Sequence, residues 1–300
     1  MSLCINEKYS VSEIMYSQVP AVKISGLSDF DISQIFDCGQ AFRFMPRGDD
    51  KYHVCGVAFG RYVEFVQNAD ELVIINSTAE DYERIWRYYL ALDLDYTKIK
   101  SELIHNFRLQ SDSGVFEKAA ECGGGIRLLR QEKWECLCSF IISQNNNIPR
   151  IRKIINKMCE KYGEPVKFGD SIYYSFPAPQ ALLKAGVDGI FALGTGFRAK
   201  YIYDATQKVA SGEIDLEKLT SLDTSDAESE LCKIKGVGPK VAACALLFSL
   251  EKYDAFPIDV WVKRILDKYY PGGLDIKALG EYAGIAQQYL FYYERYTVGK

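Results

Sequence analysis
The sequence predicts an α+β protein: an N-terminal antiparallel β-sheet domain with helices over residues 1–120, then an all-α domain over residues 121–300. Three observations predict it. Between residues 20 and 76, short runs rich in β-branched and aromatic residues are separated by Gly- or Asp-containing turns. From about Tyr96 onward the pattern is almost wholly helical. Residues 226–250 hold a helix, a Gly-x-Gly turn and a second helix, followed by Asp259, nineteen residues beyond Lys240.

The elements follow in order. Val22-Lys-Ile24, Ala41-Phe-Arg-Phe44, Tyr52-His-Val54, Tyr62-Val-Glu-Phe-Val66 and Leu72-Val-Ile-Ile75 read as strands, with clear alternation in Ala41–Met45. Ser77-Thr-Ala-Glu80 resembles a capping box, and residues 81–90 continue as a helix. Gly123-Gly-Gly125 reads as a flexible joint. Helices over Glu132–Gln144 and Ile148–Tyr162 flank Asn145-Asn-Asn147, and residues 163–177 are irregular with a short hairpin. Helices over Ala178–Ala185 and Phe197–Ala210 enclose the tight turn Gly194-Thr-Gly196. Asp215–Thr224 is polar and loop-like, and Leu274–Tyr293 carries the last helical segments.

Composition narrows the class. With 48% hydrophobic and 25% charged residues in 300, the chain is globular and long enough for a full core. No apolar run spans a bilayer, and Met1-Ser-Leu-Cys-Ile-Asn-Glu lacks the apolar stretch of a secretory signal. Nine scattered cysteines suit a reducing compartment better than a disulfide framework. The only histidines, His53 and His105, speak against a histidine-based metal site or triad. The net charge of −4 is unevenly spread. Residues 1–120 hold 12 basic and 18 acidic residues, whereas residues 124–168 hold nine and four. A locally basic lobe suits one nucleic-acid contact face, though a solvated basic helix fits the charge as well.

The turn carries the chemistry. Gly236 and Gly238 permit a backbone that a Cβ would resist, and Pro239 suits the first position of a helix. Amides exposed at that helix start form an anion site that fits a phosphate. Lys240 stands in the first turn, where a cation opposes the helix dipole, so stability alone would not select it. As a free amine it is a nucleophile able to form a Schiff base. Asp259 precedes another helix; capping that helix would hold its carboxylate in place.

Gly236-Val-Gly-Pro-Lys240 with Pro257-Ile-Asp259 resembles the helix-hairpin-helix plus Gly/Pro-Asp signature of a DNA glycosylase superfamily. Four further stretches resemble the 8-oxoguanine DNA glycosylase family within it: Cys38-Gly-Gln-Ala-Phe-Arg-Phe44, Ser139–Arg150, Gly194-Thr-Gly-Phe-Arg-Ala-Lys-Tyr201 and Tyr282–Phe291. They span both lobes. The resemblance implies that Gly39 offers a carbonyl to the N7–H of the oxidised base. It implies that Gln287 meets the pairing edge, that Phe291 stacks on the base, and that Cys244 forms the opposite wall. Asn145 would fill the gap left by the everted base. Arg150 and Arg198 would read the cytosine left behind. Phe197, where eukaryotic members have tyrosine, would wedge between bases, and Trp261 stands where they have a histidine near a phosphate.

The implied mechanism anchors phosphate on the amides of Gly236, Val237 and Gly238, directly or through a monovalent cation. Lys240 attacks C1′, and Asp259 stabilises the developing sugar cation. No metal or organic cofactor is required. No cysteine follows Cys244, so the C-terminal iron–sulfur cluster of some related glycosylases is absent. The expected partner is double-stranded DNA containing 8-oxoguanine, bound by a monomer in the bacterial cytoplasm or the eukaryotic nucleus. Two alternatives stay open: a helix-hairpin-helix glycosylase for another damaged base, and a non-enzymatic DNA-binding module.

Overall fold
The computed structural model describes residues 2–6 and 9–298. Among these, seven strands form one antiparallel sheet: β1 (Ser2–Asn6), β2 (Tyr9–Tyr16), β3 (Val19–Ser25), β4 (Met45–Arg47), β5 (Asp50–Ala58), β6 (Arg61–Asn68) and β7 (Glu71–Ile75). Their spatial order is β1-β2-β3-β7-β6-β5-β4. Register places one apolar row across four strands. Val22 faces Ile74, Ile74 faces Phe65, and Phe65 faces Val54. Period-two side chains on opposed strands share a face, so this row builds the sheet core, and Trp86 closes it edge-on against Phe65 at 5.7 Å.

Three readings of this half and its junction with the helical half need correction. β1 and β2 precede residue 20, where the sequence showed no strand. Ala41–Phe44 is not a strand, although it alternates. Phe42 packs edge-on against Phe140 in the helical core, whereas Phe44 stacks on Phe36 at 4.4 Å in the sheet core. The alternation thus serves two cores rather than two faces of a sheet. Gly123-Gly-Gly125 is not a flexible joint either. The Gly125 carbonyl accepts from Asp31 N at 2.9 Å, and its N–H donates to Gln34 Oε1 at 2.9 Å. A Cβ at residue 125 would lie 2.3 Å from Asp31 Cβ, so glycine permits a close crossing of backbones.

The capping box sits one residue later than expected, on Thr78 and Asp81, and the helix it starts contains a π turn over Tyr82–Trp86. Tyr96, Ile99, Leu103, Phe107 and Phe116 all join the helical core. In that half, helices Lys133–Ser143 and Ile148–Tyr162 flank the three asparagines as expected. β8 (Pro165–Phe168) and β9 (Ser171–Tyr174) form the short hairpin. The polar stretch after Asp215 contains a helical turn, Leu216–Leu219, capped by Asp215. Thr224–Leu231 and Pro239–Ser249 are the two helices of the Gly-x-Gly unit. The latter is buried over its last nine residues, Val241–Ser249, which fixes Lys240 at the edge of the core. Asp259 caps Val260–Tyr269, and Ala283–Tyr293 is the last long helix.

Candidate active site
A cavity of about 420 Å³ opens between the segment after Asp37, the Ser143–Ile151 helix–turn–helix junction, the hairpin helix and the last helix. Gly39, Lys240, Cys244, Asp259, Gln287 and Phe291 all line it, although they are spread over 253 positions of sequence. The six residues expected to hold the base or act on it thus share one pocket.

Each is positioned by identifiable forces. Lys240 projects from the first turn of its helix, its Nζ 5.6 Å from the centre of the Phe140 ring. Cys244 follows one turn on, in the core; burial pushes its thiol up to about 11, with nearby Lys240 pulling the other way and Asp259 adding to the rise. The pocket wall at neutral pH is therefore a neutral thiol. Asp259 Oδ1 accepts from Val262 N at 2.8 Å, so one carboxylate oxygen is fixed by the cap while the residue borders the cavity. Gln287 is only 5% exposed, and its Oε1 is buried without a hydrogen-bond partner. Phe291, one turn later, comes within van der Waals reach of Gly39: a Cβ on that glycine would stand 3.7 Å from Phe291 Cε1.

Gly39 has φ of +84°, a left-handed conformation that glycine adopts without the Cβ penalty. Its neighbours are held by long-range contacts. The Asp37 carbonyl accepts from Tyr296 Oη at 3.1 Å, the Cys38 carbonyl from Gln288 Nε2 at 2.7 Å, and the Gln40 carbonyl from Gln131 Nε2 at 2.8 Å. The Gln40 side chain is itself fully buried, bonded to Ile35 O, Arg127 O and Leu129 N. No donor among the described residues reaches the Gly39 carbonyl.

The remaining expected contacts lie outside the cavity, and two need correction. Gly236 has φ of +79°, and a Cβ there would lie 2.3 Å from the Tyr201 ring, as the turn reading requires. Gly238 has φ of −108° with nothing within 4 Å of a Cβ, so conformation does not demand glycine there. The Val237 amide is not available for phosphate, because it donates to Ile234 O at 3.0 Å and closes the turn. Gly236 and Gly238 retain their amides. Arg198 departs from the expected reader of the opposite base. It is 2% exposed, and its guanidinium donates to the carbonyls of Gln144 and Asn145, each at 2.8 Å, and Thr195 at 3.2 Å. It braces the asparagine loop. Arg150 is exposed, its Nη2 3.4 Å from Gly194 O. Phe197 is 54% exposed and set edge-on to Tyr201. Of the three asparagines, Asn146 and Asn147 cap helix ends. Asn145, at φ of +47°, caps neither and is exposed.

Sequence reasoning missed Cys38, Phe42, Gln288 and Arg295 as lining residues. Arg295 follows Phe291 by four positions, so helical spacing carried a usable signal; Gln288 and Phe42 become visible only through contacts distant in sequence.

This fold and pocket define a helix-hairpin-helix base-excision protein. Residues 138–275 match the family described as HhH-GPD superfamily base excision DNA repair protein, and residues 24–137 match the 8-oxoguanine DNA glycosylase N-terminal domain. A solved structure of MBOgg1 with a low-affinity DNA ligand is 42% identical, covering 98% of this chain and 100% of that one, with a TM-score of 0.89. The Clostridium acetobutylicum 8-oxoguanine glycosylase/lyase, solved with double-stranded DNA carrying cytosine opposite 8-oxoguanine, is 37% identical, covering 95% and 97%, with a TM-score of 0.86. The N-glycosylase/DNA lyase of Saccharomyces cerevisiae is 34% identical over 195 residues, 61% of this chain and 50% of that protein. The chain spans between half and just under two thirds of the length of three curated N-glycosylase/DNA lyase relatives. It belongs to the 8-oxoguanine DNA glycosylase family.

Proposed function
We propose that the chain is a bifunctional DNA glycosylase and abasic-site lyase that removes 8-oxoguanine from duplex DNA. The observation that carries the reading is the Gly39 carbonyl. In the Asp37–Gln40 run, its three neighbours are satisfied by Tyr296, Gln288 and Gln131, and this one acceptor is left for a ligand at the cavity edge. A carbonyl left open at the cavity edge gains about 0.5–1.5 kcal/mol net when a donor on the bound base reaches it. 8-Oxoguanine has such a donor at N7; guanine has a lone pair there and is repelled. The orphaned Gln287 Oε1 supports the same reading, since the pairing edge of the base supplies N–H groups.

Once the base is everted, Lys240 Nζ attacks C1′. The C1′–N9 bond breaks, and its electron pair and a proton leave with the base. Asp259 is placed to stabilise positive charge on the sugar. The C1′–O4′ bond of the resulting aminal opens, O4′ taking up a proton, and leaves a Schiff base between Nζ and C1′; this loses a proton from C2′, the C3′–O bond to the 3′ phosphate breaks, and the strand is nicked. Phosphate is held at the amides of Gly236 and Gly238, the exposed Phe197 wedges into the stack, and Asn145 fills the vacated space. Arg150 reads the opposite base; Arg198 joins it only by giving up its carbonyl bonds. The protein acts as a monomer.

The test uses end-labelled duplex with one 8-oxoguanine opposite cytosine, with borohydride added. A covalent adduct that requires the lesion and disappears in Lys240→Gln supports the mechanism. Alkali-sensitive sites without an adduct would assign base release to water and remove Lys240 as nucleophile.

A further inference from the structure
The corner of the cavity beside Gly39 holds a side chain that the mechanism does not use. Arg295 lies in the π turn Glu294–Val298 that continues the last helix, one turn beyond Phe291. Glu294 ties this turn to the far end of the helix that Asp259 caps, accepting from Tyr269 Oη at 3.2 Å and from Lys268 Nζ at 3.5 Å. Arg295 lines the cavity, and its Nη1 stands 3.6 Å from where a Gly39 Cβ would be.

Its donors are barely engaged. Nη1 reaches the Asp37 carbonyl only at 3.5 Å, and the guanidinium lies over the Tyr296 ring at 5.2 Å. The Asp37 carboxylate, the obvious partner, is taken by the Tyr296 hydroxyl. Arg152, with its Nε buried and unpartnered, lies within electrostatic reach of both Asp37 and Arg295. Two guanidiniums thus lie near one carboxylate that already accepts from a hydroxyl. The corner is electropositive and rich in unused N–H groups, and it adjoins the layer in which Phe291 would stack on a base.

8-Oxoguanine differs from guanine by two adjacent features, a donor at N7 and an acceptor at C8. A site reading both needs an acceptor and a donor side by side. We propose that Arg295 is a specificity-determining residue whose guanidinium donates to the C8 oxygen of the everted base, next to the Gly39 carbonyl that accepts from N7. Guanine would present a C8–H to this guanidinium and gain nothing. The inference rests on the lesion reading given above. A phosphate of the everted nucleotide would also attract arginine, but it would do so whatever the base.

The experiment compares binding in the Lys240→Gln background, which keeps substrate intact. Three duplexes are used, carrying 8-oxoguanine, guanine or a tetrahydrofuran abasic analogue opposite cytosine. Arg295→Met keeps the alkyl stem and removes the donors. Binding to the 8-oxoguanine duplex should weaken about tenfold or more, the scale for losing a charge-assisted hydrogen bond. Affinity for the other two should stay within about twofold, and Arg295→Lys should recover part of the loss. Equal weakening on all three duplexes assigns Arg295 to phosphate and overturns the proposal. No weakening on any overturns it as well. A Lys240→Gln parent with no preference for 8-oxoguanine over guanine would instead sink the lesion reading itself. Thermal unfolding of each variant verifies that folded protein is compared.

Discussion

Gln287 offers a prediction in which stability and activity move in opposite directions. Its Oε1 is buried without a partner, and the residue is 5% exposed. Leaving such an acceptor unsatisfied costs about 1–3 kcal/mol. Leucine has similar volume and no polar atom, so Gln287→Leu removes that penalty and adds a little apolar burial. Losing whatever hydration reaches the amide nitrogen offsets part of this, leaving a gain of about 1 kcal/mol. For a chain of this size that is a rise of about 2 °C in Tm. In the complex the sign reverses: the N–H groups of the base's pairing edge are buried against a methyl group. A loss of about 1–3 kcal/mol there slows single-turnover excision by roughly 5- to 150-fold. Circular dichroism melts and rapid-quench excision on the same preparation measure both. A Tm falling by several degrees would mean that Gln287 is structural, and unchanged excision would mean that it does not touch the base.

Three further outcomes follow from the same geometry. Asp259→Asn keeps an oxygen for the Val262 amide, and asparagine caps as well as aspartate, so Tm should hold within about 2 °C while base release slows at least about 100-fold; equal release rates would show that the charge is dispensable. Gly236→Ala forces a Cβ to 2.3 Å from the Tyr201 ring at φ of +79°, and left-handed strain with overpacking sums to about 2–5 kcal/mol. Its melt should drop by several degrees, with partial recovery in Gly236→Ala/Tyr201→Ala; an unshifted melt would contradict this turn. Because burial holds the Cys244 thiol near 11, no thiolate titrates between about pH 6 and 9. Cys244→Ser should therefore keep the shape of the pH profile of base release there, and an inflection present only in the parent would show that an ionised thiol takes part.

The parts of this protein that were legible in its sequence are those whose signal is local. The hairpin, Lys240 and Asp259 are fixed by positive φ, proline and a helix cap, each a property of a few adjacent residues. β2 was invisible for the opposite reason: only Tyr9 and Val11 of its eight residues are buried, too few to show a period. Ala41–Phe44 showed a period whose cause was misassigned, because two cores draw alternate aromatics as a sheet would. Arg198 looked like a free reader because its strongest acceptors are remote in sequence: Gln144 and Asn145, 54 and 53 positions away, take its donors.

The site shows why local legibility ended where it did. A glycine can be read from sequence as a turn, but a carbonyl can be read as a recognition element only when its neighbours are known to be occupied. Here that occupancy comes from Gln131, Gln288 and Tyr296, which are 91, 250 and 259 positions from the carbonyls they fill. The same wiring makes lesion recognition a property of how the last helix seats against the segment after Asp37. That helix carries Gln287, Gln288 and Phe291, and the turn after it carries Arg295 and Tyr296. One rigid element therefore sets the stacking face, the pairing-edge contact and the hold on the discriminating carbonyl together. Loosening it should degrade all three at once and leave the chemistry of Lys240, which sits on a separate buried helix, in place.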